Sequence, residues 1–143
     1  MDLDQEIKKD KKLLELFENV ATLINHLEHY LIHEMDKEDI EKTKKSIDKY
    51  LVSIRQMLEK EESFLKKHIK DFIKKYKDKQ VKQLPKIKNE EVDYMNNLID
   101  EINHLIKDPN EKIIDRIGLL IKNIEWLMKH EIEITSRMKS GKS

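Results

Sequence analysis

The apolar residues of this chain recur every three or four positions over long stretches, a spacing that places them on one face of an α-helix. The first stretch covers about residues 3 to 35, and its apolar face contains Leu13, Leu16, Phe17, Val20, Ile24, Leu27 and Leu31. The second covers about residues 37 to 79, with Ile40, Ile47, Leu51, Ile54, Leu58, Leu65, Ile69, Phe72 and Tyr76. Asp36 or a neighbour can break and cap the first helix before the second begins. We therefore predict two long helices joined by a tight turn.

The second half of the chain predicts two more helices. Pro85 disfavours helix at Leu84 and removes a backbone donor, so residues 80–89 are predicted to form a connector. A short third helix over about 90–107 then carries Met95, Leu98, Ile99, Ile102, Leu105 and Ile106. Asp108 suits the N-cap, and Pro109 the first position, of a fourth helix over about 109–138. We expect the tail, residues 140–143, to be frayed.

Four amphipathic helices predict one all-α domain over residues 1–143, folded as an antiparallel up-down four-helix bundle. Helices 1, 2 and 4 are long and helix 3 is shorter. A long coiled-coil dimer fits less well, because the connectors at 36 and 108 interrupt the heptads and the apolar faces are wider than a two-residue seam.

The composition agrees with a helical protein and narrows its chemistry. Charged residues make up 41% of the chain, which has only two glycines and two prolines, too few for a turn-rich sheet fold. The absence of cysteine excludes disulfides and thiolate metal sites. No apolar run is long enough to span a bilayer, and the first residues lack the apolar core of a signal peptide. We expect a cytoplasmic protein with no membrane partner.

Three histidines, His26, His29 and His33, lie on one face of the first helix. Imidazole is a common metal ligand, but this face is opposite the apolar one, whereas a metal site in a bundle core needs inward ligands. We therefore expect a solvated face. His29 and His33, four residues apart, could still hold a metal ion at the surface.

The polar residues closest to the apolar faces are Glu61, His68 and Glu131. Buried carboxylates are costly unless they are paired, so these three are the candidate internal metal ligands. Folding the helices back at the predicted connectors places Glu61 and Glu131 roughly 30 Å apart, at 1.5 Å per residue. We expect them not to meet and their charged heads to reach water.

The segment EKEESFLKKH, residues 59–68, resembles the second-helix pattern of the hemerythrin-like family, in which HxxxE is followed by an aromatic residue. Met57 stands where that pattern has histidine, while His104 and His130 face outward. The resemblance therefore implies only one of the family's diiron ligands in this chain, Glu61. The chain also resembles, in its Lys, Ile and Glu content, small archaeal helical-bundle proteins of unknown function. No cofactor is predicted.

Residues 66–88 contain ten lysines and two aspartates, a composition that could track a phosphate backbone. The candidate contacts are Lys66, Lys67, Lys70, Lys74, Lys75 and Lys77. Residues 89–111 contain seven acids and one lysine, and lie on the expected neighbouring helix. Since the two segments can neutralise each other, we expect no nucleic-acid partner, and the balance of 29 basic and 29 acidic residues gives no overall attraction.

An outer face of the fourth helix carries Leu119 and Trp126, with Ile134 on its flank. Tryptophan is enriched at the centres of interfaces, so these residues could join two copies about a twofold axis. The final GKS lacks the glycine-rich cradle of a phosphate-binding loop, and no catalytic motif is found. The sequence thus predicts a non-enzymatic bundle that acts through protein interaction or homodimerisation. A degenerate hemerythrin-like or ferritin-like metal-binding bundle is the alternative, and weak nucleic-acid binding is the second.

Overall fold

The computed structural model describes residues 3–33, 36–77 and 79–140, without the side chain of Lys79. Their four α-helices are α1 (Leu3–Ile32), α2 (Lys37–Tyr76), α3 (Leu84–Lys107) and α4 (Glu111–Ser140), and a 3-10 helix, Lys79–Gln83, precedes α3. Each helix packs against its neighbours in the chain, and α1 packs against α4. The predicted all-α four-helix bundle is confirmed. Residues 141–143 of the predicted frayed tail lie outside the described residues, while Ser140 belongs to α4.

Side-chain and backbone caps define the helix ends. Asp36 caps the start of α2 by accepting a hydrogen bond from the N–H of Glu38 at 3.1 Å. For α4 the predicted cap is wrong: Asn110 accepts from the N–H of Ile113 at 3.0 Å, and the helix begins at Glu111. Asp108 instead ends α3, and its N–H donates to the carbonyl of His104. Asn110 is the cap of α4 because it lies directly before the first turn, where its side chain reaches the free N–H groups.

The predicted ten-residue connector, residues 80–89, is wrong. α3 begins at Leu84, six residues before the predicted start at 90, and Pro85 lies in its first turn. Proline is tolerated there because the first N–H groups of a helix have no intrahelical acceptor. Lys77 caps the end of α2: its backbone is left-handed (φ 52°), and its N–H donates to the carbonyl of Ile73. Lys88 therefore belongs to a helix and not to a loop.

The buried apolar side chains form two clusters along the bundle. The apolar cluster lies toward the α1–α2 and α3–α4 turns and contains Leu13, Phe17, Val20, Ile24, Leu27, Ile47, Leu51, Ile54, Leu58, Val92, Met95, Leu98, Ile102, Leu105, Ile113, Ile117, Ile124 and Met128. The terminal cluster lies toward the other end and contains Leu3, Leu65, Phe72, Val81, Leu84, Ile87, Leu127, Ile134 and Met138. All four helices pass from one cluster to the other, and charged side chains occupy the level between them.

Candidate functional site

Six charged residues lie at the level between the two apolar clusters, and we call them the charged centre. α1 contributes Glu6 and Asp10, α2 Glu61, α3 Lys88 and Glu91, and α4 Glu131. Five of the six are at most 4% exposed, and the side chain of Glu61 is 13% exposed. The centre therefore draws on every helix and is almost completely removed from water.

The ammonium group of Lys88 joins its own helix, α3, to the other three helices. Its Nζ donates a hydrogen bond to Asp10 Oδ1 at 3.1 Å. The same nitrogen lies 2.7 Å from Glu61 Oε2 and 2.6 Å from Glu131 Oε2. Glu61 Oε2 accepts no hydrogen bond within the described residues, so Glu61 is held to Lys88 by charge alone, whereas Asp10 is also hydrogen-bonded.

The pKa of Lys88 shows that its charge is retained. Burial alone lowers the pKa of a lysine, because a dry site disfavours the charged form. Here the surrounding carboxylates of Glu131, Asp10, Glu91 and Glu61 outweigh burial and raise the pKa of Lys88 well above 10.5. Lys88 is thus a fixed positive charge, and the carboxylates are the groups whose protonation can change.

Glu91 and Glu131 form a buried carboxyl pair beside Lys88. With both groups ionised, neither oxygen of Glu91 accepts a hydrogen bond from a donor within residues 3–33, 36–77 and 79–140, and the same holds for Glu131 Oε1. Burial raises the pKa of each; their mutual hydrogen bond raises that of Glu131 further and lowers that of Glu91. Because both pKa values are raised, the pair favours holding a proton between its two carboxyl groups.

The carboxyl groups of α1 are also shifted toward protonation. Burial raises the pKa of Asp10 from the ordinary 3.8 to about 8, against the opposing effect of Lys88. Burial, helped by the nearby charge of Glu61, raises the pKa of Glu6. Both shifts follow from placing five carboxyl groups around one ammonium in a site where water cannot stabilise the excess negative charge. The centre can therefore hold protons or accept a cation.

The structure brings together two of the three candidate internal ligands. Glu61 and Glu131 both contact Lys88, so the predicted separation of roughly 30 Å, at 1.5 Å per residue, is wrong. That estimate placed the start of α3 at the far end of α2. Glu61 lies 15 residues before Tyr76, the end of α2, whereas Lys88 lies only four residues after Leu84, the start of α3. The chain between the helices therefore runs back along α2 and shifts α3 and α4 relative to α2.

None of the candidate histidines belongs to the charged centre. His68 lies two turns beyond Glu61 on α2, half-buried, with its ring between those of Phe64 and Phe72 at 4.5 and 6.5 Å. His29 and His33 are exposed, as expected, and their ring centroids are 4.3 Å apart. His68 is therefore not a partner of Glu61 and Glu131, and the surface metal site at His29 and His33 stays a prediction.

The predicted interface residues separate into exposed and buried ones. Leu119 and Trp126 are 61% and 63% exposed on α4, but Ile134 is completely buried in the terminal cluster. The prediction of Ile134 as an interface residue is wrong, because α4 turns this position inward against α1 and α3. The basic residues predicted as nucleic-acid contacts, Lys66, Lys67, Lys70, Lys74, Lys75 and Lys77, are all exposed. Lys66 pairs with Glu62 at 2.7 Å, and nucleic-acid binding stays a prediction.

Sequence reasoning missed Glu6, Asp10, Lys88 and Glu91, although a signal for them exists. The apolar face of α1, followed toward its start, reads Leu13, Asp10, Glu6, Leu3 with alternating spacings of three and four. The two acids therefore occupy inward positions of the same face. Glu91 likewise lies four residues before Met95 on the inward face of α3. An acid that continues an apolar face is the sequence feature that marks this centre.

The comparisons with known proteins give no family to which this chain can be assigned: no family model, curated protein or solved structure matches it. Within the described residues no helix is long and apolar enough to cross a membrane.

Proposed function

We propose that this protein acts by self-association, with α4 of one copy pairing antiparallel to α4 of a second copy about a twofold axis. The observation that carries the proposal is the exposure of Leu119 and Trp126, seven residues apart on one outer face of α4. In an isologous interface each residue of a pair contacts the other residue on the partner. A twofold axis between Lys122 and Asn123 would place Trp126 of each copy against Leu119 of the other.

The charges on this face support the same axis. Lys112 and Glu133 are equally far from its position, and so are Asp115 and His130. All four lie within about 40° of Leu119 when each residue turns the helix by 100°. Antiparallel pairing therefore brings Lys112 opposite Glu133 and Asp115 opposite His130, so that unlike groups meet at both ends of the apolar pair.

In the single chain the Trp126 ring already packs against a neighbouring ring of the same helix. It stacks on the ring of His130, with the centroids 5.1 Å apart and the planes 17° apart. His130 Nδ1 in turn lies 3.7 Å from Glu133 Oε2. A side chain held in one position loses less conformational entropy on association, which favours its use as an interface anchor.

Sedimentation equilibrium tests the proposal. We expect the parent to have twice the 17.3 kDa mass of the chain, and Trp126→Ser and Leu119→Ser to shift it toward the monomer. Tyr50→Ser is the matched control, because Tyr50 is 46% exposed on α2, away from this face. A parent that stays monomeric into the millimolar range, or a dimer unaffected by Trp126→Ser, would contradict the proposal.

Charge reversal tests the antiparallel geometry separately from the apolar contact. Lys112→Glu and Glu133→Lys should each weaken the dimer, since each places like charges opposite one another. The double variant reverses both members of the pair and should restore association toward that of the parent. Failure of the double variant to recover would rule out the pairing of Lys112 with Glu133, even if the protein is a dimer.

A further inference from the structure

The charged centre contains more carboxyl groups than its internal cation can serve. Lys88 contacts Asp10, Glu61 and Glu131, but it carries one positive charge against the five carboxyl groups of the centre. Glu6, 4% exposed, has no ion pair in the part of the chain that the structure describes. Glu91, completely buried, lines a small void with Asp10, Lys88 and Glu131, and its oxygens have no donor among the described residues when the acids are ionised. Lys88 alone therefore leaves the centre with surplus negative charge.

The surplus negative charge of the centre lies partly on three carboxyl groups that α1 and α2 bring together. Glu6 and Asp10 are four residues apart, so they lie one above the other on α1, and Glu61 faces them from α2. One carboxylate oxygen from each lies within 4.8 Å of the others. The partly exposed side chain of Glu61 marks the edge of the centre that solvent can reach.

We propose that Glu6, Asp10 and Glu61 bind one hard divalent cation of the calcium or manganese class, with Asp10 and Glu61 shared between that cation and the ammonium of Lys88. Each shared carboxylate has lone pairs for two positive groups. The centre would then hold two cations side by side, one supplied by α3 and one taken from solution.

The ligand chemistry determines the class of ion. All three ligands are carboxylates, which suit Mg²⁺, Ca²⁺ and Mn²⁺ better than the softer metals that prefer imidazole or thiolate. The oxygens of Glu6, Asp10 and Glu61 all lie within 4.8 Å of one another, close enough to contact one such ion. Water can complete the coordination from the side of Glu61.

The test uses full-length protein purified without a histidine tag and stripped with a chelator. Mn²⁺ is the probe, because electron paramagnetic resonance counts free and bound ion directly, and Ca²⁺ is added as competitor. We expect one Mn²⁺ per chain, displaced by Ca²⁺. Glu6→Gln should weaken binding at least about tenfold, since even outer-shell partners of a metal are worth 10–100-fold. Glu15→Gln, an exposed acid on the same helix, is the control and should bind like the parent.

Thermal unfolding keeps the result interpretable if Glu6→Gln alters the fold. An ion that binds only the folded state raises the melting temperature, so Ca²⁺ should stabilise the parent and Glu15→Gln but not Glu6→Gln. Absence of stoichiometric binding in the parent would overturn the proposal. Equal binding by Glu6→Gln, or binding lost only in His29→Ala, would do the same by assigning the ion elsewhere. None of these outcomes depends on whether the protein is a dimer.

Discussion

Phe17 and Asp10 lie two turns apart on the same inward face of α1, and they are 0% and 4% exposed. Phe17 is surrounded by the apolar cluster, whereas Asp10 faces Lys88 and the other acids of the charged centre. The two regions meet at Leu13, which belongs to the apolar cluster and also lines the void beside Asp10. Two residues that are equally buried on one face of α1 therefore lie in different surroundings, one in the apolar cluster and the other in the charged centre.

The apolar cluster and the charged centre make different contributions: the first stabilises the fold, and the second determines how the helices are aligned. Removing apolar side chains from water is favourable without any particular partner, so the apolar cluster stabilises the bundle in proportion to its buried area. Burying charged groups is unfavourable unless each one finds its partner. The charged centre therefore forms at only one alignment of the helices, the one that brings Asp10, Glu61 and Glu131 to Lys88. We infer that it fixes their axial positions.

Truncating the apolar cluster should have the largest effect. Phe17→Ala removes a completely buried ring and should lower the free energy of unfolding by about 3–5 kcal/mol, through lost burial and the cavity left behind. Urea denaturation measures this loss. Because no titrating group is involved, the loss should be the same at pH 5 and pH 8. A loss that changes with pH would show that the two interiors are not independent.

Removing the buried ammonium should cost somewhat less and should depend on pH. Lys88→Met leaves the carboxylates without their cation, and breaking a buried ion pair in this way costs about 3 kcal/mol or more near neutral pH. The cost should shrink toward pH 5, because the acids can then take up protons. Lys86→Met, an exposed change on the same helix, should stay within about 0.5 kcal/mol of the parent. If Lys88→Met unfolds like Lys86→Met, the centre does not depend on its cation.

The sequence predicts the apolar cluster better than it predicts the charged centre. Apolar periodicity was enough to predict the four helices, because each buries one continuous face. It also singled out Glu61 and Glu131, which interrupt such faces. Their meeting could not be predicted, because it depends on where α3 starts. The sequence predicts that Pro85 lies within a connector, residues 80–89, whereas it lies in the first turn of α3.

Because the start of α3 was predicted too late, Lys88 could not be recognised as the cation of the charged centre. Lys88 was counted with the lysines of the predicted connector, although it is 2% exposed on α3. Lysines in a loop and lysines on an inward helix face look alike in composition. Only the axial alignment of the helices, which depends on long-range packing, distinguishes them.

The parent protein should become less stable as the pH rises from about 4 to about 8 in the presence of a chelator. Burial raises the folded-state pKa of Asp10 from 3.8 to about 8, and it raises those of Glu6, Glu91 and Glu131. At pH values between the unfolded-state pKa and the folded-state pKa of such a group, the folded protein binds more protons than the unfolded chain. The contribution of the group to stability is therefore complete below its unfolded-state pKa and is lost as the pH rises through its folded-state pKa. Each such group contributes up to about 1.4 kcal/mol per pH unit.

Urea denaturation at intervals across this pH range measures the slope. Asp10→Asn is the matched variant, since it keeps the shape of the side chain and removes one titrating group, and its slope should be smaller than that of the parent. A parent whose stability is constant or rises from pH 4 to pH 8 would contradict the excess of buried acids.

Five carboxyl groups surround one buried ammonium in the charged centre, and the carboxyl groups in excess of its charge hold protons when no other cation is bound. Carboxyl ¹³C NMR of aspartate-labelled protein in chelator reports the protonation of Asp10 directly, with Asp10→Asn identifying the resonance. We expect this resonance to titrate near pH 8, far above the usual pKa of about 3.9 for aspartate. An Asp10 resonance that titrates below about pH 5, within the ordinary spread of aspartate pKa values, would contradict it.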